Sequence, residues 1–134
     1  MSALEPGARA VHRRYVPYSH AHYAGDLVDG AYGLALFGDV ATELCIRTDG
    51  DEGLLASYSE VQFLAPVRAG DVVEVEATLV RVGRRSREMV FELRVLCRGR
   101  EVSPGGSGES AADVLDPPVV ATTARGTVVV PTVG

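Results

Sequence analysis

Hydrophobic residues recur along this chain with two different periods. Between residues 26 and 47 (DLVDGAYGLALFGDVATELCIR) the period is helical. Leu27, Ala31, Leu34, Ala41 and Cys45 make one apolar stripe, and Gly30, Gly33, Phe37, Val40 and Leu44 make a second beside it. The pattern predicts a helix from Asp26 to Arg47, with Asp26 as its N-cap at the positive end of the helix dipole. A helix apolar around most of its girth has to be buried on several sides. In the second half the period drops to two. Val73, Val75, Ala77 and Leu79 alternate with Glu74, Glu76 and Thr78, and Met89, Phe91, Leu93 and Val95 repeat the pattern after a turn at Gly83-Arg84-Arg85. Each is the signature of an antiparallel strand with one buried face.

Further strands are predicted at Ala10–Val16, at Leu55–Leu64 and at Val119–Val130, with turns at Thr48–Gly53 and Arg68–Asp71. The order is strand, long helix, then four strands joined by turns. That order implies an α+β fold in which an antiparallel sheet of five or six strands wraps one long central helix. A single domain over residues 1–134 is expected, with a loose leader at 1–8 and a flexible Gly/Ser loop at 103–110.

Composition narrows the function. With 134 residues, 46% hydrophobic, and a net charge of −5, the chain has material for a core and lacks the basic footprint that nucleic acid requires. Its two cysteines, Cys45 and Cys97, fall in the helix and a strand without metal-ligand spacing, so free thiols in a reducing compartment are expected. The N-terminal MSALEPGARA has no apolar signal core, and no stretch is long enough to span a membrane. These features predict a cytoplasmic protein.

One face of the predicted helix interrupts its apolar girth. Asp29, Tyr32, Leu36, Asp39, Glu43 and Arg47 share an arc of roughly 80°. Such a strip is either a solvated edge carrying an ordinary Glu43–Arg47 pair or one wall of a site. Two observations weigh against the plain edge. Asp39 and Glu43 are like charges at i,i+4, which costs roughly 0.2–0.5 kcal/mol. Gly30, Gly33 and Gly38 each cost about 1 kcal/mol relative to alanine.

The motifs HYAGDLVDGA, LFGDVATEL, DGDEGL, VQFLAPVRAGD and SREMVFE resemble the 3-aminobutyryl-CoA and β-alanyl-CoA ammonia lyases, small hotdog enzymes. The resemblance runs from His12 to Pro131. It departs at two positions, where an acid of the family pattern is His20 here and an amide is Asp26. It implies a hotdog fold and the reversible removal of ammonia from a β-aminoacyl-CoA thioester, giving an enoyl-CoA. No cofactor is implied beyond the coenzyme A within the substrate. It further implies a homodimer or higher homo-oligomer with active sites between subunits.

On that resemblance the thioester carbonyl points at the helix start, where backbone amides around Asp29 and Gly30 are free to donate. Asp39 and Glu43 lie about 15 and about 21 Å further along the helix axis from Asp29. They can meet a helix start only across a subunit interface. They are the expected acid/base pair, their mutual repulsion and partial burial raising one pKa toward neutrality. His22 is a candidate proton shuttle or thioester contact, with a loop histidine bonded to backbone as the alternative. Tyr23 is a candidate substrate contact, and Ser86 and Arg87 candidates for CoA binding. His20 and His22 have no third ligand spaced to join them, so no metal is expected. Two alternatives stay open. One is a hotdog acyl-CoA thioesterase or enoyl-CoA hydratase; the other is a non-catalytic acyl-CoA-binding subunit.

Overall fold

The computed structural model describes residues 3–100 and 110–131. Strand β1 (Arg9–Tyr15) leads through two short 3-10 turns, Tyr18–His20 and Ala24–Asp26, into helix α1 (Gly30–Asp49). Strands β2 (Leu54–Phe63), β3 (Val72–Val82), β4 (Ser86–Gly99) and β5 (Ala112–Val129) follow. They form one five-stranded sheet in the order β1-β3-β4-β5-β2, antiparallel at every neighbour. The sheet curls around α1, as the two sequence periods predict.

Register follows from burial. Val75 pairs with Leu93 and Ala77 with Phe91, so the inward positions of β3 and β4 are aligned under the helix. Phe37 of α1 stacks on Phe91 with ring centroids 5.0 Å apart and planes at 16°. Phe37, Val40 and Leu44 are completely buried on Val73, Val75, Leu79, Met89 and Leu93. Each such side chain contributes roughly 1.5–3 kcal/mol through loss of apolar surface to water. Glu74, Glu76, Glu92 and Arg94 lie on the opposite face, where Arg94 bridges Glu74 at 2.8 Å and Glu92 at 3.2 Å. The predicted register holds, with Val73, Val75, Phe91 and Leu93 toward the helix.

The helix itself begins one turn later than its periodicity suggests. Leu27 and Val28 continue the apolar pattern, but Leu27 pairs with Tyr23 and Arg68 as isolated bridges and Val28 N donates to Val67 O. Asp26 adopts a left-handed φ of 62°, which no N-cap shares. Asp29, with extended backbone, is the N-cap instead. At the far end Gly50 takes the left-handed conformation that closes a helix, and its N–H returns to Ile46 O. The solvated strip is also narrower than expected, because Leu36 is buried and only Asp39 and Arg47 are exposed.

The last strand starts seven residues before its predicted beginning at Val119. Its pairing with β4 passes from Val95–Val119 to Cys97–Val114, so Leu115–Pro118 bulge out of the ladder and two prolines need no ladder partner. Before β1, Gly7 and Ala8 already exchange backbone bonds with Leu79. Most of the predicted Gly/Ser loop, residues 103–109, lies outside the described residues. Among those described, no helix is long and apolar enough to cross a membrane.

Candidate active site at the helix start

Where α1 begins, it faces the end of β2 and the middle of β4 and β5 across a cavity of about 280 Å³. Tyr23, Asp29, Gly30, Tyr32, Phe63 and Thr122 are among the residues that line it. Gly30 lets the Phe63 ring lie close against the helix start. A Cβ there would stand 2.6 Å from the Phe63 ring, so any side chain would fill the approach to the helix start. Asp29 supplies a backbone cap only, with Tyr32 N donating to its carbonyl at 3.2 Å and no side-chain cap bond. The first amides of α1 therefore keep their donors, and the helix dipole adds a partial positive charge at the same place. Such an end suits an oxygen that acquires negative charge.

Tyr23 is exposed at the cavity rim and packs edge-on against His22, ring centroids 4.7 Å apart. The amides of His22 and Tyr23 both donate to Leu27 O, which fixes the loop while leaving the His22 imidazole exposed. The structure thus brings Tyr23, Asp29 and Gly30 together, with His22 beside them. Asp39 and Glu43 do not line this cavity.

Glu43 differs from expectation in its electrostatics. Arg47 Nε donates to it at 2.8 Å and His12 Nε2 lies 2.9 Å from its other oxygen. These bonds, Arg47 first and His12 second, hold its carboxyl below the ordinary carboxylate range rather than raising it toward neutrality. Glu43 ties α1 to β1. Asp39, one turn earlier and exposed, makes no hydrogen bond or ion pair among the described residues.

At the other end of the helix, Arg87 also departs from expectation. Only 6% exposed, it donates from Nε and Nη2 to Asp49 and from Nη1 to the carbonyls of Gly83 and Ser86. Its donors are spoken for, and it locks the β3–β4 turn onto the helix end. The cations that this turn presents to solvent are Arg84 and Arg85. Cys45, buried nearby, has its thiol pushed up to about 11, chiefly by desolvation, and is an inert packing residue. No group of three or more His, Cys, Asp or Glu with metal-binding geometry occurs among the described residues.

Tyr32, placed by the helical period on the strip with Asp29, lines the cavity with it. Sequence reasoning passed over Thr122, a buried polar residue on a strand whose facing only the register reveals.

Residues 26–102 match the model of the thioesterase superfamily. The chain is 53% identical over 111 residues to the 3-aminobutyryl-CoA ammonia lyase of Acetoanaerobium sticklandii, covering 83% of this chain and 85% of that protein. This chain belongs to the CoA ammonia lyase family within the thioesterase superfamily. The structure of the β-alanyl-CoA:ammonia lyase from Clostridium propionicum superposes with a TM-score of 0.84 at 33% identity, over 94% of this chain and 87% of that one. A hexameric hotdog fold thioesterase of Campylobacter jejuni superposes at a TM-score of 0.72 with 17% identity, over 96% and 85% of the two chains. At that identity the likeness speaks for the hotdog fold alone.

Proposed function

We propose that the protein is an ammonia lyase acting on a β-aminoacyl-CoA, eliminating ammonia to give an enoyl-CoA or adding it in reverse. The 53% identity to a 3-aminobutyryl-CoA ammonia lyase across most of both chains carries the reading. The cavity at the helix start gives it a place. The thioester carbonyl rests against the free amides at Gly30, a base removes the proton from the neighbouring carbon, and the negative charge gathers on the thioester oxygen. The electron pair left behind forms the double bond as the C–N bond breaks, and the ammonium group departs as ammonia.

The base comes from a second copy of the chain. Asp39 is roughly 15 Å along the axis from Asp29, too far to serve its own helix start. Strand β2 is an edge of the sheet carrying exposed Leu54 and Phe63, a surface suited to a partner in a homodimer or higher homo-oligomer. Asp39, with no competing cation bonded to it, serves as the base in this reading. Glu43 keeps the helix aligned on β1 and contributes negative charge toward the substrate ammonium. His22 and Tyr23 border the acyl group. Arg84 and Arg85 meet the phosphates of coenzyme A on a turn shaped by Ser86 and Arg87. The reaction as written calls on no cofactor besides the coenzyme A of the substrate, and buried Cys45 with half-buried Cys97 fits a cytoplasmic location.

Incubation with crotonyl-CoA and ammonium tests the function. Loss of enoyl absorbance that requires ammonium and releases no free thiol is the expected result. Thiol release would mark a thioesterase. Ammonium-independent loss would mark a hydratase, and binding without turnover an acyl-CoA-binding subunit.

A further inference from the structure

The lyase reading leaves Tyr32, one of the residues that line the cavity, without a task. Tyr32, on the first turn of α1, lines the cavity beside Asp29 and Gly30. Arg14, at the end of β1, donates from Nε to Tyr32 Oη at 3.0 Å, its guanidinium carbon 5.8 Å from the ring centroid. His20, in the first 3-10 turn, brings Nδ1 to 2.9 Å from the same oxygen, the two rings tilted by 58° with centroids 5.4 Å apart. Three separate elements thus converge on one phenol.

A phenol oxygen carries one proton and can accept two hydrogen bonds. Arg14 fills one accepting position. In the tautomer that carries its hydrogen on Nδ1, His20 fills the other, and the tyrosine's own O–H is then free to donate to an occupant of the cavity. Donation from a guanidinium also draws electron density from the oxygen and strengthens the O–H as a donor. We propose that Arg14 and His20 hold the Tyr32 hydroxyl as a hydrogen-bond donor to the thioester carbonyl oxygen of the bound acyl ester, beside the backbone amides at the start of α1. The inference rests on the cavity being the acyl-thioester site.

The proton stays on Tyr32 throughout. Its bond to the carbonyl oxygen strengthens as the neighbouring carbon loses its proton and negative charge builds there, which is where a preorganised donor accelerates a reaction. Tyr32 touches the substrate, whereas Arg14 and His20 are positioning residues. The identity of residue 20 then acquires a meaning. Histidine can supply a hydrogen to the tyrosine oxygen, while a carboxylate at the same position only accepts and would draw the Tyr32 proton away from the cavity.

Polarisation of the carbonyl can be read without turnover. Crotonyl-CoA with an isotopically labelled thioester carbonyl carbon is bound to the protein in the absence of ammonium and observed by carbon NMR. The bound resonance of the wild-type protein is expected downfield of the free ester. Tyr32→Phe keeps the ring and its packing. It should weaken binding by no more than about tenfold, lose much of the downfield shift, and lower kcat for ammonia addition by about 10²-fold with KM little changed. His20→Asp should lose the shift in the same way. His20→Asn, whose amide N–H occupies the place of Nδ1, should restore most of it. A wild-type resonance that is not displaced, a shift that survives in both Tyr32→Phe and His20→Asp, or failure to bind the ester would overturn the proposal. A Tyr32-dependent shift in a protein that adds no ammonia would uphold it and refute the lyase reading. Ammonia addition with a Tyr32-independent shift would do the opposite.

Discussion

The two ends of α1 are built to opposite specifications. At its end Gly50 closes the last turn, and the buried Asp49–Arg87 pair, 2.7 Å apart, seals the helix against the β3–β4 turn. At its start Asp29 leaves its carboxylate off the amides, Gly30 has no side chain, and a cavity opens in front. The same backbone polarity is neutralised at one end and left exposed at the other. Stability is thus concentrated at the end away from the cavity, where the β3–β4 turn is anchored. The unspent donors remain where the thioester is proposed to bind.

The contrast should be visible in stability measurements. Arg87→Ala leaves Asp49 charged, buried and unpaired, and is expected to cost about 3–5 kcal/mol in urea denaturation. Asp29→Ala removes a carboxylate that makes no cap bond, and should cost less than about 1 kcal/mol. Equal losses at both ends would erase the distinction.

A smaller effect concerns the middle of the helix. Folding holds Glu43 below its ordinary value of 4.5 through Arg47 and His12. Its ionised form therefore adds stability at neutral pH, and that contribution is lost as the pH falls through the folded-state value. Because the pair is more than a third exposed, the contribution at neutral pH is only about 0.2–1 kcal/mol. Glu43→Gln should lower stability by that amount at about pH 7 and approach the wild type as the pH falls through the folded-state value, below 4.5. A difference that persists unchanged in acid would show that the carboxylate acts through packing instead.

Much of this was legible in the chain. Alternation in β3 and β4 fixes which residues meet the helix, and the helical stripes identify Phe37, Val40 and Leu44 as its buried side. The same period of two reaches back from Met89 to Arg87, so the inward turn of that arginine was written in the register, hidden only by the expectation that a charge faces water. The helix start was hidden for a different reason. Leu27 and Val28 keep the apolar phase of α1 but pair their backbones with Arg68 and Val67, contacts distant in sequence that no local pattern reports. The beginning of β5 was masked by Pro117 and Pro118, which read as a break and are accommodated as a bulge. Of the site, Asp29, Gly30 and Tyr23 were identified from the sequence and line one cavity. The convergence of Arg14, His20 and Tyr32 was not, because it depends on where β1 ends beside the helix.

In the proposed assembly, one chain's helix start works with Asp39 of another. Asp39→Asn and Gly30→Val damage the two halves separately, the second by driving a side chain into Phe63. Each variant alone should lower the rate of ammonia addition to crotonyl-CoA, the first by about 10²–10⁴-fold. Denatured together in equal amounts and refolded, they should form mixed dimers in which one of the two sites receives both intact halves. Activity should then return to about a quarter of the wild-type rate. A mixture no more active than its components would contradict the shared site and place the whole of the chemistry within one chain.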